Sequence, residues 1–276
     1  MDGLAEFVRD HSDGRLFPWL RQREAAARFS VSVSEVEEAA LQQGILPARY
    51  QRNRQALTVS DQLTLFRSSV AVIGCGGLGG YVVEELARLG VGRIVSIDPD
   101  VFEEHNLNRQ LFSTPANLGR AKVEAAAARV REINPAVTLT AIQEAFSPAN
   151  GGELLNGCRV VVDALDSIQV RLELAEVCST MNMPLVHGAI AGWFGHVTTQ
   201  FPGDTTLQSI YRSWKGGKGV EQTLGNPSFT PAVVASIEVA EVCKLLLGQG
   251  VTLRGRQLII DLLSMEMNIL TIREGV

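Results

Sequence analysis

The sequence predicts an α/β fold with a mostly parallel sheet, antiparallel C-terminal strands and an N-terminal helical extension. Three observations carry this. Apolar runs of strand length recur at VAVIG (70–74), RIVSID (93–98) and RVVVDAL (159–165), with helical segments between them. VAVIG and VVVDAL are apolar at successive positions, as strands buried on both faces require. The segment PLVHGAIAGWFGHVTTQF (184–201) breaks the rhythm, being β-rich and interrupted by glycine, and predicts later strands or a hairpin.

The first 48 residues read as three short helices, FVRD, REAAARF and VSEVEEAALQQ. Ser34 is the expected N-cap of the third, with Glu37 as its capping-box partner. Gly44 and Pro47 supply the stop. Helix, turn, helix outlines a DNA-binding unit, but five Lys/Arg face eight Asp/Glu in this segment. A net −3 opposes phosphate binding. An accessory helical cap or dimer contact over 1–48 is the expectation, followed by one α/β unit over 49–276.

Beyond VAVIG, the spacing of Val82, Leu86 and Leu89 predicts a helix ending at a glycine. A further helix is expected over 117–132, then VTLTAI, a helix and RVVVDAL. Residues 203–228 are Gly-rich and polar and predict a long mobile loop. PAVVASIEVAEVCKLLLG (231–248) predicts a helix with Pro231 in its first turn. LIIDLLSMEMNILTI (258–272) closes the chain with strands.

Composition excludes several classes. The chain has 276 residues, 46% of them apolar, and a formal net charge of −5, which argues against a general nucleic-acid binder. No run of 18 apolar residues predicts a membrane span. The start, MDGLAEFVRDHSDGR, lacks the basic and apolar regions of a secretory signal, so a cytoplasmic protein is expected. Cys75, Cys158, Cys178 and Cys243 form no C-x-x-C pair, so neither a disulfide framework nor zinc is predicted. His11, His105, His187 and His196 lack metal spacing, and no Ser/His/Asp or Cys/His set stands out.

The chemistry concentrates after the first long strand. Gly74-Cys75-Gly76-Gly77-Leu78-Gly79 matches G-x-G-x-x-G between a strand and a helix, so a Rossmann-like nucleotide site is expected. Asp98 ends the next strand 19 residues on, where a carboxylate can bind ribose. Alone, this pattern favours a dinucleotide dehydrogenase. Arg109 and Lys122 shift the reading towards a triphosphate. Asp166, just past the strand RVVV, lies where such sheets bind ligands and could hold Mg²⁺ through oxygen.

Taken in order, these pieces resemble the MoeB/ThiF/HesA branch of ubiquitin-activating enzymes. They are Arg49-Tyr50-x-Arg52, GCGGLG, Asp98-x-Asp100, Asn106-Leu107-Asn108-Arg109-Gln110, Gly119-x-x-Lys122 and Asp163-x-x-Asp166 followed by Arg171. The resemblance implies ATP- and Mg²⁺-dependent adenylation of the C-terminal glycine of a ubiquitin-like sulfur carrier of MoaD/ThiS type, ending in Gly-Gly. It implies that Gly74, Gly76, Gly77 and Gly79 cradle the nucleotide and that Asp98 and Asp100 contact it. Asn106, Asn108, Arg109 and Lys122 would serve the phosphates, and Asp166 the metal. Arg52 would reach into a partner subunit's site, which implies a homodimer. The C-x-x-C pairs that hold zinc in many relatives are missing, as is a cysteine within 203–228. The implied reaction therefore stops at the acyl-adenylate and leaves sulfur transfer to a separate sulfurtransferase. Cations in 212–218 suit a crossover loop over the adenylate. The rival readings are activation of another carboxylate (peptide or tRNA-linked) and a non-catalytic nucleotide-sensing regulator.

Overall fold

The computed structural model describes residues 2–216 and 221–272. In chain order the extension comprises α1 (Asp2–Asp10), β1 (Leu16–Phe17), α2 (Trp19–Phe29), α3 (Val33–Gln42) and β2 (Leu46–Pro47). Then follow α4 (Val59–Phe66), β3 (Ser69–Ile73), α5 (Gly77–Leu89), β4 (Arg93–Ile97), α6 (Lys122–Ile133) and β5 (Thr138–Ile142). The middle of the chain forms α7 (Pro148–Leu154), β6 (Val160–Asp163), α8 (Ile168–Thr180), β7 (Leu185–Ala191) and β8 (Phe194–Gln200). The remainder is α9 (Thr206–Ile210), α10 (Glu221–Leu224), α11 (Phe229–Leu247), β9 (Arg256–Asp261) and β10 (Glu266–Thr271).

The main sheet has the order β10-β9-β8-β7-β6-β3-β4-β5. Strands β7, β6, β3, β4 and β5 run parallel, and β8, β9 and β10 add antiparallel. The strands that carry the successive apolar residues fall in the centre, with every residue of β3 and β6 buried. Val70 and Val72 face a core shared with α5, α6 and α11, while Ala71 and Ile73 face one shared with α7 and α8. Helices therefore cover both faces of the parallel half. β10 is different: its six residues are all exposed, with Met267 and Ile269 on one face and Leu270 on the other.

The extension has its own small core of Phe7, Val8, Phe17, Ala25, Val36, Ala40 and Ile45. Its third helix starts two residues earlier than Ser34 suggests. The cap is Ser32, whose side chain accepts the Glu35 N–H while Glu35 accepts the Ser32 N–H. Glu37 is thereby freed from capping and faces inward, fully buried, where Tyr50 donates to its Oε1 at 2.7 Å. Burial pushes the Glu37 carboxyl up, against the pull of Arg49. Arg49 in turn donates to Gln22 and Asn134, and Asn134 donates to Tyr50 at 2.8 Å. This buried network ties the extension to the end of α6.

Two further expectations shift. The helix expected over 117–132 begins only at Lys122, because the preceding chain folds into a 3₁₀ turn at Pro115–Asn117 and Val101 bridges Ala121. The described parts of 203–228 are held more firmly than a loop. Leu207 is fully buried against α8, and Gly192 donates to the Gly225 carbonyl at 2.7 Å. Gly217 and Lys218 of the anticipated crossover loop lie outside the described residues. Among the described residues no helix is long and apolar enough to cross a membrane, and no group of three or more His, Cys, Asp or Glu is placed to hold a metal ion.

Candidate active site

A cavity of about 680 Å³ opens at the carboxyl ends of β3, β4, β6 and β7, the ligand side of a parallel sheet. Its shape starts with the glycine loop between β3 and α5. Gly74 has φ +94°, which an L side chain rarely adopts. A Cβ on Gly79 would lie 1.8 Å from the Gly74 carbonyl oxygen. The loop can fold this tightly only without side chains at these two positions. Because α5 begins at Gly77, its first backbone N–H groups open towards the cavity and form an anion site.

The expected residues divide into four groups. Gly74, Gly76, Gly77, Asp98, Asp100, Arg109, Lys122 and Asp166 all line the cavity. Gly79 lies beneath the loop as a packing element. Asn106 and Asn108 stand beside the cavity rather than in its wall. Asn106 is buried and accepts the Glu103 N–H at 2.9 Å, closing its own turn. Asn108 accepts from Arg109 at 2.9 Å and donates to the Asn226 carbonyl at 3.1 Å. It thus orients a cation and fastens a loop. Arg52 is exposed and does not line the cavity of its own chain.

Asp98 has both carboxylate oxygens engaged. One accepts the Cys75 N–H at 2.6 Å and the other accepts the Asp100 N–H at 2.8 Å. Burial pushes its carboxyl up, opposed by Lys122 and by these two hydrogen bonds. Lys122 is buried and pairs with Asp100 at 2.8 Å. Arg109 is half-buried. Desolvation weakens its hold on its proton, and Asp166 opposes that. No hydrogen bond or ion pair commits Asp166 elsewhere among the described residues. Its hard oxygen donors, in the wall of the cavity that the glycine loop also lines, fit Mg²⁺.

A buried polar network joins Asp163 and Arg171 to His187 and Tyr211, two partners that the sequence did not signal. Asp163 and His187 stand 24 positions apart in the chain, yet β6 and β7 pair them directly in register. The ring Nδ1 of His187 lies 2.7 Å from Asp163 Oδ2. Burial pushes the Asp163 carboxyl up, but Arg171 and His187 outweigh it and hold it below its ordinary value. Burial pushes the His187 imidazolium towards its neutral form. The neutral ring donates from Nδ1 to Asp163, and its Nε2 accepts from the Tyr211 hydroxyl at 3.0 Å. Arg171 donates to Tyr211 at 3.1 Å and to the Gly188 carbonyl at 3.2 Å. Arg171, His196 and Tyr211 line the cavity. This Asp/His pair ends on a tyrosine clamped by arginine.

The cysteines are not poised for reaction. Burial pushes the Cys75 and Cys178 thiols up to about 12 and Cys243 to about 11, and raises Cys158 as well. Little thiolate exists in any of them near neutral pH.

Residues 50–275 match the ThiF family model. The chain is 37% identical over 203 residues to the SAMP-activating enzyme E1 of Haloferax volcanii, covering 73% of this chain and 75% of that protein. It is 34% identical over 249 residues to the adenylyltransferase and sulfurtransferase MOCS3 of Arabidopsis thaliana, covering 84% of this chain and 52% of that one. The chain thus spans only about half the length of that second relative. Its fold matches that of E. coli MccB crystallised with ATP, with a TM-score of 0.71 at 20% identity over 88% of this chain and 79% of the other. The chain belongs to the ThiF family, and the enzymes it matches by sequence are an E1-type activating enzyme and adenylyltransferases.

Proposed function

We propose that the protein adenylates the C-terminal glycine carboxylate of a ubiquitin-like sulfur-carrier protein ending in Gly-Gly, and releases pyrophosphate. The observation that carries this is the convergence of Arg109, Lys122 and Asp166 on the glycine loop in one cavity. The substrate carboxylate attacks the α-phosphorus of ATP, and the bond to the β-phosphate oxygen breaks. Both reactants are anions, so their repulsion must be offset. Arg109 and Lys122 supply fixed positive charge in a partly desolvated site, where it acts most strongly. No general base is needed, because a terminal carboxylate is already ionised near pH 7. Mg²⁺, held by Asp166, would act as a Lewis acid on the phosphate oxygens.

Arg52 lies apart from its own cavity, which supports a homodimer in which it completes the neighbouring copy's site. The raised thiols support a reaction that ends at the acyl-adenylate, with sulfur delivered by a separate sulfurtransferase. ATP–pyrophosphate exchange with Gly-Gly-ended carrier proteins tests this reading. Exchange that depends on the carrier is expected. A folded, ATP-binding sample that exchanges with none of them overturns the choice of substrate.

A further inference from the structure

Arg52 sits on a stretch of chain, 51–56, that is mostly exposed. Among the described residues no hydrogen bond or ion pair holds its guanidinium, so the backbone beneath it sets its place. That backbone is a tight turn. The Asn53 N–H donates to the Tyr50 carbonyl at 2.8 Å, and the Gln51 N–H donates to the Ala48 carbonyl at 3.1 Å. Arg52 is the third of the four residues that the bond from Asn53 to Tyr50 encloses. Tyr50, only 1% exposed, is the buried anchor from which the turn leaves.

The anchor is held from both parts of the chain. Tyr50 clusters with Leu41 and Leu46 of the extension and with Phe66 and Ala136 of the α/β unit. Its hydroxyl donates to Glu37 Oε1 of α3 at 2.7 Å and accepts from Asn134 Nδ2 at 2.8 Å. A Cβ on Gly90 would lie 2.4 Å from that hydroxyl, so the end of α5 closes the third side. Glu37 is fully buried, yet its Oε2 has no hydrogen bond and meets Arg49 Nε only at 3.9 Å. A buried carboxylate with one oxygen unmatched is a costly way to attach a helix, and an apolar side chain would pack there at less cost. What the carboxylate adds is direction, because it fixes one point, the Tyr50 hydroxyl.

We infer that Glu37 is a positioning residue: through the Tyr50 hydroxyl, the N-terminal extension holds the 50–53 turn in the place from which Arg52 enters the neighbouring copy's site. This rests on the proposed adenylation and homodimer, and gives the extension of one protomer a part in its partner's catalysis.

Glu37→Ala leaves the Tyr50 hydroxyl without its acceptor and should lower carrier-dependent exchange about tenfold. Glu37→Gln keeps an acceptor oxygen and should restore most of the rate. The deciding step mixes Glu37→Ala with Asp166→Ala while subunits exchange. A mixed dimer joins the intact cavity of the first chain to the well-placed Arg52 of the second. With a tenfold loss and random pairing, activity should rise about fivefold above that of the two proteins kept apart. A loss confined to the Glu37→Ala chain's own cavity gives no rise, because the other chain has no working site. Hydrogen exchange at the Asn53 amide needs no carrier. It should quicken about tenfold or more in Glu37→Ala, while the amides of β3 keep their protection. Tyr50→Phe removes the same hydrogen bond and serves in each arm if Glu37→Ala fails to fold.

No rise on mixing, or an Asn53 amide unmoved in the folded variant, overturns the inference. The mixture of Arg52→Ala with Asp166→Ala is the control. Recovery there without a rise in the Glu37 mixture sinks only the role of Glu37. No recovery in either mixture sinks the shared site and the inference with it. A quickened Asn53 amide in a protein that exchanges with no carrier supports the positioning and sinks only the choice of substrate.

Discussion

The carboxylate of Asp98 accepts the backbone N–H of Cys75 at 2.6 Å, joining the end of β4 to the turn that follows β3. Its other oxygen takes the Asp100 N–H at 2.8 Å, so one side chain sets the geometry of two neighbouring segments. Asp98→Asn substitutes an NH₂ for one of the two acceptors and sets it against an N–H. Hydrogen bonds to charged groups are worth about 1.5–3 kcal/mol, so ATP affinity should fall roughly tenfold to a hundredfold. Calorimetric titration with ATP measures this, and unchanged affinity would show that the loop holds its shape without the carboxylate.

Asp166→Ala should abolish pyrophosphate exchange and leave the circular dichroism spectrum intact, since no described residue depends on Asp166 for a hydrogen bond. Arg52→Ala should lower exchange by about 10³-fold if it acts as an arginine supplied between subunits. Mixing the two inactive proteins should then restore part of the activity, because some mixed dimers carry one intact site. No recovery in a mixture shown to exchange subunits would assign Arg52 to its own chain.

Glycines separate cleanly by position. A Cβ at Gly79 meets the Gly74 carbonyl oxygen at 1.8 Å, so Gly79→Ala should destroy nucleotide binding or destabilise the protein severely. Gly152, inside α7, has nothing within 4 Å of an added Cβ. Gly152→Ala should raise stability by up to about 1 kcal/mol through helix propensity. Thermal melts and ATP titrations of the two variants check the contrast.

Glu238 on α11 is fully buried against Gly188, and neither carboxylate oxygen has a hydrogen-bond partner. Burial, with Asp163 adding to it, pushes its carboxyl well above the ordinary 4.5. Between 4.5 and that raised value the folded protein keeps a proton that the unfolded chain releases. This contribution is most favourable below the unfolded value and declines as pH rises. Glu238→Gln removes the dependence. Its melting temperature should exceed that of the wild type by at least about 2 °C at pH 8, with the gap closing towards pH 5. A constant gap across that range would attribute the effect to packing.

Much of this was legible before folding. The glycine loop, Asp98, Arg109, Lys122 and Asp166 converge because strand, turn and helix follow one another in a grammar that short-range patterns record. The buried polar network was hidden for a different reason. His187 and His196 share no spacing that signals contact, but the β7–β8 hairpin brings their rings to 5.2 Å. Asp163 reads as the end of an apolar run until β7 pairs beside it and supplies a histidine. Asn106 and Asn108 carried a polar signature that the structure spends partly on closing its own turns. The capping error at Ser34 has the same origin. Two serine–glutamate pairs were available, and the buried hydroxyl of Tyr50, remote in sequence, claimed Glu37.

The outermost strand has a consequence for handling the protein. β10 reads EMNILT, with one charge at its start and neither lysine nor proline to blunt its open side. Among the described residues no strand pairs beyond it, so its backbone N–H and C=O groups form a ready template for intermolecular pairing. The isolated chain is therefore expected to show concentration-dependent self-association that light scattering detects. Ile269→Lys, a substitution remote from the nucleotide loop, should suppress it. Colloidal behaviour and catalysis would then be separately adjustable properties of the outermost strand and the centre of the same sheet.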